Sequence, residues 1–147
     1  MIQRIQTFFL LVATLLQALL LKSNFYSLKV ELNNVLYSAW QSINTGSNEI
    51  HTNILHIVLQ FLLMGITLYT VFIYKNRPQQ MKLCMYLILG TLLSFAFALY
   101  NLFTTNYSEY HFAFGTYIIS ILVIIYISAY FFIRKDDNLV KSVDRLR

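Results

Sequence analysis

Four long windows of the sequence lack Asp, Glu, Lys and Arg, and they constrain the fold more than any other feature. They cover residues 5–21, 54–74, 83–103 and 113–133. Because a helix rises about 1.5 Å per residue, roughly 20 residues cross the ~30 Å hydrocarbon core of a bilayer. The first window is slightly short, but its flanking basic residues can reach the headgroups and extend it. The windows therefore predict four transmembrane helices.

Other fold classes fit these windows poorly. Helices of a soluble bundle carry a polar stripe, and residues 118–127 (IISILVIIYI) show almost none. Strands of a membrane barrel alternate over about ten residues, which the windows do not do. The composition agrees, since 58% of the residues are hydrophobic and only 12% are charged. A cleaved signal peptide needs a small-x-small site, and none follows Leu21, so the first helix is predicted to be retained.

The basic residues predict which ends face the cytoplasm. All 11 Lys and Arg residues except Lys22 and Lys29 lie near the termini or between the second and third windows. Because Lys and Arg resist translocation, both termini are predicted to be cytoplasmic. The candidate residues of the cytoplasmic face are Arg4, Lys75, Arg77, Lys82, Arg134, Lys135, Arg145 and Arg147. Topology thus accounts for the net charge of +5, and no nucleic-acid partner is expected.

Short connections make neighbouring helices antiparallel. Residues 75–82 are predicted to form a tight turn, in which Pro78 helps to end the second helix. Residues 104–112 form a short outer loop. The expected fold is all-α: a single membrane domain, residues 1–147, built as an up-down-up-down four-helix transmembrane bundle with a cytoplasmic tail over residues 134–147.

The long outer segment, residues 22–53, is predicted to contain a small extracytoplasmic hairpin. Apolar and polar residues alternate over 26–32, which is the period of a strand. Asn33 and Asn34 suit a tight turn, and 35–40 would be the returning strand. The alternative is an amphipathic helix in the interface, and Trp40 suits a membrane boundary in either case. The hairpin would pack on the outer ends of the helices, either as a simple cap or as a surface for a partner.

Polar side chains inside the windows form the candidate site. Placed by depth, they all fall in the outer third to half of the bundle. They are Gln17, His56, Gln60, Asn101, Thr116 and Ser120. Two interpretations are open. The side chains bond the helices to one another, or they line a polar pocket that is open to the outside and holds a small ligand or a lipid headgroup.

Catalytic and metal chemistry find no support in the sequence. Pumps and transporters usually carry ionisable groups within the membrane, and the four windows contain no acid, Lys or Arg. His51, His56 and His111 lack the spacing of a metal site. No nucleophile is paired with a base. We therefore expect no enzymatic activity, no metal and no cofactor.

Two further patterns concern packing. Gly90, Ser94 and Ala98 form a small-residue stripe that permits close approach of the second or fourth helix, or of a second copy of the chain. In the tail, Asp136 or Asp137 can cap a short separate helix, and Asp137 and Lys141 are spaced to pair along it. The favoured interpretation is that the fourth helix continues across the interface.

The two ends of the chain carry a recognisable pattern. They read MIQRIQT over residues 1–7 and RKDDNLVKSVDRLR over residues 134–147. The chain in this respect resembles a family of small four-helix membrane proteins from Bacteroidetes that is catalogued as a domain of unknown function. The resemblance implies a Gram-negative inner membrane and periplasmic outer loops, and it implies no reaction. A related hypothesis is that Gln3 or Arg4 contacts Asp136 or Asp144.

The sequence thus leads to two functional hypotheses. The first is a non-enzymatic, multi-pass protein of the inner membrane that acts as a structural or interaction subunit. Its partners would be membrane lipids and another membrane protein or a second copy of itself. The alternative is a binder or carrier of a small lipophilic molecule or lipid in the outer-leaflet polar pocket.

Overall fold

The computed structural model describes residues 2–30, 33–38, 41–44, 50–52, 54–74, 76–104 and 109–144. Within these ranges the chain forms four long helices and five short strands. In chain order they are α1 Ile2–Lys22, β1 Asn24–Val30, β2 Asn33–Ser38, β3 Gln41–Asn44, β4 Ile50–Thr52, α2 Ile54–Phe72, α3 Arg77–Thr104, β5 Glu109–Phe112 and α4 Phe114–Asp144.

All four helices are long and apolar enough to cross a membrane. They pack as a closed ring, in which α1 contacts α2 and α4, and α3 contacts the same two helices. Their outward faces remain strongly apolar: Leu15 is 67% exposed, Phe72 75%, Leu89 61% and Ile124 62%. Such continuous apolar surface is unfavourable in water and is expected of helices in lipid.

The helices run alternately up and down. At one end of the bundle, the Gln6 side chain donates a hydrogen bond to the carbonyl of Phe132, 3.2 Å away. Gln80, near the start of α3, donates to the carbonyl of Thr70, near the end of α2. We call this the terminal end of the bundle. The strands lie at the opposite end, which we call the sheet end.

The strands form one antiparallel sheet in the order β4-β3-β2-β1-β5. β1 contacts α4, and Tyr37 of β2 lies beside His56 of α2, whereas the side chains of β5 are exposed. The predicted hairpin between α1 and α2 exists as β1 and β2. Its register is different, because Val30 pairs with Asn33 and Lys29 with Asn34. The two asparagines therefore lie in β2, and the prediction that they form the turn is wrong.

The observed register is explained by aromatic burial. It pairs Tyr26 with Tyr37, whose rings stack at 4.8 Å, and both side chains are buried. Shifting a strand pairing changes which side chains are buried, so this contact outweighs the turn preference of asparagine. Trp40 and most of the predicted flexible link over 44–48 lie outside the described residues.

The sheet is inserted among the helices instead of resting on their ends. Gln17 in α1 bonds to Thr67 in α2. At about 1.5 Å per residue, α1 continues ~8 Å beyond that contact, whereas α2 continues ~20 Å towards its start. β1 occupies the space beside the start of α2 that α1 does not reach. There the Phe25 ring stacks on His56, and the Tyr26 hydroxyl donates to the carbonyl of Ala98.

The connection between α2 and α3 is shorter than predicted. α3 begins at Arg77, so residues 77–82 are helical and do not form a turn. Asn76 precedes the helix, and its side-chain amide donates to Gln79 Oε1 at 3.1 Å. Pro78 lies in the first turn, where its missing N–H has no helical acceptor to lose. Pro78 therefore belongs to the first turn of α3, and the prediction that it ends the second helix is wrong.

The tail continues the fourth helix. α4 extends without interruption to Asp144, so Asp136 and Asp137 lie inside it and do not cap a separate helix. Their environment explains this, because Asp136 contacts Arg77 of α3 and Asp137 pairs with Lys141 at 2.6 Å. The predicted pairing of Asp137 with Lys141 is confirmed.

Candidate functional site

The predicted polar residues do not form one pocket. His56 and Gln60 join Ser94 in a group that we call the sheet-end cluster. Gln17 belongs to a separate group with Thr67 and Tyr126, the central cluster. The clusters lie at different depths of α2, since Thr67 is two turns beyond Gln60.

The sheet-end cluster is buried between α2 and α3. His56 is 0% exposed, Gln60 2% and Ser94 1%. His56 Nε2 lies 3.0 Å from Ser94 Oγ and 3.3 Å from Gln60 Nε2. The Gln60 amide also donates to Ser94 Oγ. Gly90, one turn from Ser94, has no side chain to keep Leu63 of α2 at a distance, which lets the two helices approach closely.

The hydrogen-bond pattern assigns a tautomer to His56. Ser94 Oγ accepts from Gln60, so the Ser94 hydroxyl is free to donate to His56 Nε2. Since Nε2 then accepts, the ring proton belongs on Nδ1. Nδ1 is buried, and among the described residues it has no hydrogen-bond partner. The cluster therefore presents one buried N–H donor.

Aromatic rings fix the imidazole in place. Phe25 of β1 stacks on it with ring centroids 5.1 Å apart and planes inclined by 11°. Phe97 of α3 meets it edge-on at 5.4 Å, and Tyr37 of β2 lies at 6.4 Å. Both strands of the hairpin thus help to hold one side chain of α2.

A cavity adjoins His56 between α2 and α3. It has a volume of about 320 Å³. Its lining residues are Leu55, His56, Leu59, Leu93, Ala96, Phe97 and Tyr100. Four of them are also on the outer surface of the bundle: Ala96 is exposed, Leu55 is 69% exposed, Leu93 62% and Tyr100 65%. The cavity therefore opens sideways, on the apolar face of the helices.

The central cluster ties three helices together. Thr67 Oγ1 lies 3.0 Å from Gln17 Oε1 of α1 and 2.9 Å from the Tyr126 hydroxyl of α4. It also lies 2.8 Å from the carbonyl of Leu63 in its own helix. This arrangement matches the interpretation in which polar side chains bond helices to one another.

The remaining three predicted residues lie outside both clusters. Asn101 donates to the carbonyl of Phe97 in its own helix. Thr116 donates to the carbonyl of Phe25 at 2.6 Å and so fastens β1 to α4. Ser120 is exposed and donates to the carbonyl of Thr116. None of these contacts brings the three residues into either cluster.

The predicted basic face is only partly described. Arg77 Nε lies 2.9 Å from Asp136 Oδ2, and the two side chains are 19% and 12% exposed. The contact is ionic and lacks hydrogen-bond geometry, because Asp136 Oδ2 has no hydrogen-bond donor among the described residues. Lys82, Arg134 and Lys135 are exposed. Lys75, Arg145 and Arg147 lie outside the described residues, and the described side chains do not include those of Gln3, Arg4 and Asp144.

Sequence reasoning missed several residues of these clusters. In the sequence Ser94 carries only the signal of a small residue, because its hydrogen-bond partner depends on how α2 and α3 align. Tyr126 carries a usable signal, since a tyrosine in mid-span, away from the interface, usually needs a hydrogen-bond partner. Gln80 is buried, but the sequence places it in the predicted turn over 75–82, because the charge-free window of the third helix begins only after Lys82.

The comparisons with known proteins agree with the extent of the fold. Residues 2–146 match the model of the family described as Domain of unknown function (DUF4293). A search of curated proteins found no match.

Proposed function

The chain belongs to the DUF4293 family, a domain of unknown function, and we propose that it is a non-enzymatic integral membrane protein that acts as a structural or interaction subunit. We further propose that it resides in the inner membrane of a Gram-negative bacterium of the Bacteroidetes, with both termini in the cytoplasm. Its partners are membrane lipids and either another membrane protein or a second copy of the chain.

The observation that carries this proposal is the use of buried polar side chains as links between helices. Thr67 connects α2 to both α1 and α4. Gln6 connects α1 to α4, and Gln80 connects α3 to α2. Groups that are already engaged in holding helices together favour a structural role over a chemical one.

Charge and aromatic residues support the orientation. Arg77, Lys82, Arg134 and Lys135 all lie towards the terminal end, where a cytoplasmic face is expected to be basic. Exposed aromatic residues occur near both ends of the helices, as in the interfacial belts of membrane proteins. They include Tyr100, Phe103, Phe114 and Tyr117 at the sheet end, and Tyr69, Phe72, Tyr74 and Phe131 at the terminal end.

Two experiments test the proposal. Reporter fusions to each terminus are expected to be active only in the cytoplasm, and ends in different compartments would refute the topology. Purification of the tagged chain from native membranes in mild detergent is expected to give a stoichiometric protein partner or a dimer. A monomer accompanied only by lipid would contradict the subunit role.

A second candidate function is the binding of a lipophilic molecule. It is favoured by the cavity beside His56 and by the unpaired Nδ1. Replacing Gln17 and Gln60 with Leu separates the two candidates. Loss of stability supports links between helices, whereas unchanged stability with loss of ligand binding supports a binding site.

A further inference from the structure

We propose that the outward face of α4 at the terminal end binds an anionic phospholipid of the phosphatidylglycerol class from the adjacent leaflet. Arg134 and Lys135 hold its phosphate, and its acyl chains lie along the apolar face of the same helix. This inference rests on the membrane location in the proposed function, and it narrows the lipid partner to one chemical class and one binding site.

The site is a groove on the surface of the bundle. Its volume is about 560 Å³, which is within the range of small-molecule sites. Its described lining residues recur at the three- and four-residue spacing of a single helix face. They are Phe131, Arg134, Lys135, Asn138, Leu139 and Ser142. An aromatic ring and two cations therefore border the same space, which suits an amphiphile with a negative headgroup.

Folding separates the charges that are mixed in the sequence of the tail. Asp136 and Asp137 are each 8% exposed, and each already contacts a cation of the protein. Arg134 and Lys135 are exposed, and within the described part of the chain neither forms an ion pair. The described lining of the groove contains no acid. The groove thus carries two positive charges that the protein does not neutralise, and anionic lipid headgroups are attracted to such charges.

Two polar side chains of the groove match a headgroup that carries hydroxyls. Asn138 is exposed one turn beyond Arg134, and its side chain makes no hydrogen bond to another described residue. Its amide can therefore donate to a phosphate oxygen. The Ser142 hydroxyl donates to the carbonyl of Leu139, so its oxygen remains able to accept. The glycerol headgroup supplies hydroxyl donors for that oxygen, whereas a choline headgroup has none.

The apolar face of α4 leads from the bilayer into the groove. Ile124 is 62% exposed, Ile127 39% and Phe131 58%. These residues follow one another at intervals of three and four, and Arg134 comes three residues later, so all four lie on one side of the helix. A phosphate at Arg134 therefore leaves its acyl chains beside apolar side chains. A soluble anion gains nothing from that surface, which favours a lipid as the occupant.

The test measures lipid binding to the full chain in detergent micelles by native mass spectrometry. The probes are dioctanoyl phosphatidylglycerol and dioctanoyl phosphatidylcholine, which have the same acyl chains. With two basic residues at the headgroup, phosphatidylglycerol is expected to bind at least about tenfold more tightly. A preference below about threefold would overturn the proposal. Glycerol 3-phosphate is expected not to displace the lipid at equal concentration, and displacement would overturn the assignment to a lipid.

Variants of matched charge separate a site from diffuse attraction. Arg134→Gln and Lys135→Gln are each expected to weaken phosphatidylglycerol binding about fivefold, the ratio for one basic residue near a membrane surface. Lys82→Gln removes the same charge at the same end, but Lys82 is on α3 and does not line the groove. It is expected to change the affinity by less than about twofold. Equal losses at Lys82 and Arg134 would show attraction to the whole basic face and would overturn the site.

A second pair of variants fills the groove without changing its charge. Asn138→Trp is expected to abolish the preference for phosphatidylglycerol, because the indole occupies the space of the headgroup. Val140→Trp, also at an exposed position of α4 but outside the lining of the groove, is expected to keep the preference. A retained preference in Asn138→Trp refutes the site.

The outcomes also separate this inference from the proposed function. Absence of a lipid preference in a chain that still purifies with a stoichiometric protein partner refutes this inference alone. A chain that stays in the supernatant after lysis without detergent refutes the membrane location on which both proposals rest.

Discussion

The hydroxyl of Thr67 lies 2.9 Å from the hydroxyl of Tyr126, although the two residues are in helices that are not neighbours in sequence. The same Thr67 oxygen also contacts Gln17. One hydroxyl in the middle of α2 therefore links three of the four helices.

Thr67→Val is expected to destabilise the protein by about 1 kcal/mol, because the change keeps the shape of the side chain and removes both interhelical contacts. Unfolding by titration with SDS, followed by circular dichroism, measures the effect. Thr70→Val is the matched control, since Thr70 Oγ1 bonds to the carbonyl of Ile66 in its own helix. Equal losses in the two variants would show that the contacts between helices add nothing.

Tyr26→Phe and Tyr37→Phe are expected to differ in their effect on the free energy of unfolding. The Tyr26 hydroxyl donates to the carbonyl of Ala98 at 3.2 Å, and its removal should cost about 1 kcal/mol. The Tyr37 hydroxyl is buried without a partner among the described residues, so its removal should be neutral or stabilising. The same unfolding titration distinguishes them, and a larger loss for Tyr37→Phe would contradict the assignment of partners.

Stability is expected to fall at high pH because of the same two tyrosines. Burial raises the pKa of Tyr37 from its ordinary 10.0 to about 12, and burial followed by the proximity of Tyr37 raises the pKa of Tyr26. Below pH 10 both states keep these protons and the full stability is present. As the pH rises from 10 to 12, the unfolded chain releases protons that the folded chain retains, and the stability declines. The stability of Tyr37→Phe should decline less steeply with pH over this range. An unchanged slope would refute the assignment of the decline to these tyrosines.

Replacing each of three helical glycines with alanine is expected to change the stability of the protein by different amounts, from a loss to a gain. At Gly115 the added Cβ would lie 2.7 Å from the backbone carbonyl oxygen of Asn24, which cannot move aside, so we expect a loss of about 2 kcal/mol. At Gly90 it meets the end of the Leu63 side chain, which can rotate, and the effect should be small. At Gly65 nothing lies within 4 Å, and alanine should stabilise α2 by up to about 1 kcal/mol. Thermal unfolding of the three variants in nanodiscs checks the order.

Arg77→Leu is expected to cost about 2 kcal/mol, because it leaves the carboxylate of Asp136 buried without its cation. The double variant Arg77→Leu with Asp136→Leu should recover much of this loss, since both charges are then absent. A double-mutant cycle on the unfolding free energy measures the coupling. Strict additivity of the two single changes would mean that the ion pair makes no contribution.

Sequence reasoning located the helices because a bilayer demands long apolar segments. Apart from its first residue, the window over 113–133 lies within α4, and the window over 54–74 nearly coincides with α2. The ends were less predictable. The charge of Lys82 predicts a limit of the third helix, yet α3 begins at Arg77, since Asn76, whose Oδ1 accepts from the Gln79 N–H, and Pro78 favour an earlier start. Charge marks where a helix leaves the lipid, which is not where the helix ends.

The clusters were harder to predict than the helices. The spacing of His56 and Gln60 puts them on one face of α2, and this much follows from the helical period. Their partner Ser94 depends on the alignment of two helices, and the position of Phe25 over His56 depends on the sheet register. A single sequence does not encode either relation locally, because both arise from packing between distant segments.

The attachment of β1 to α4 has a consequence for biosynthesis. The carbonyl of Phe25 accepts from the backbone N–H of Ala113 and from Thr116 Oγ1, and these donors are made only after the first three helices have been synthesised. A nascent chain that has emerged only as far as α3 therefore holds β1 without the two bonds that fasten it to α4. Although β1 is synthesised before α2, α3 and α4, it reaches its final position only after the start of α4 has been made.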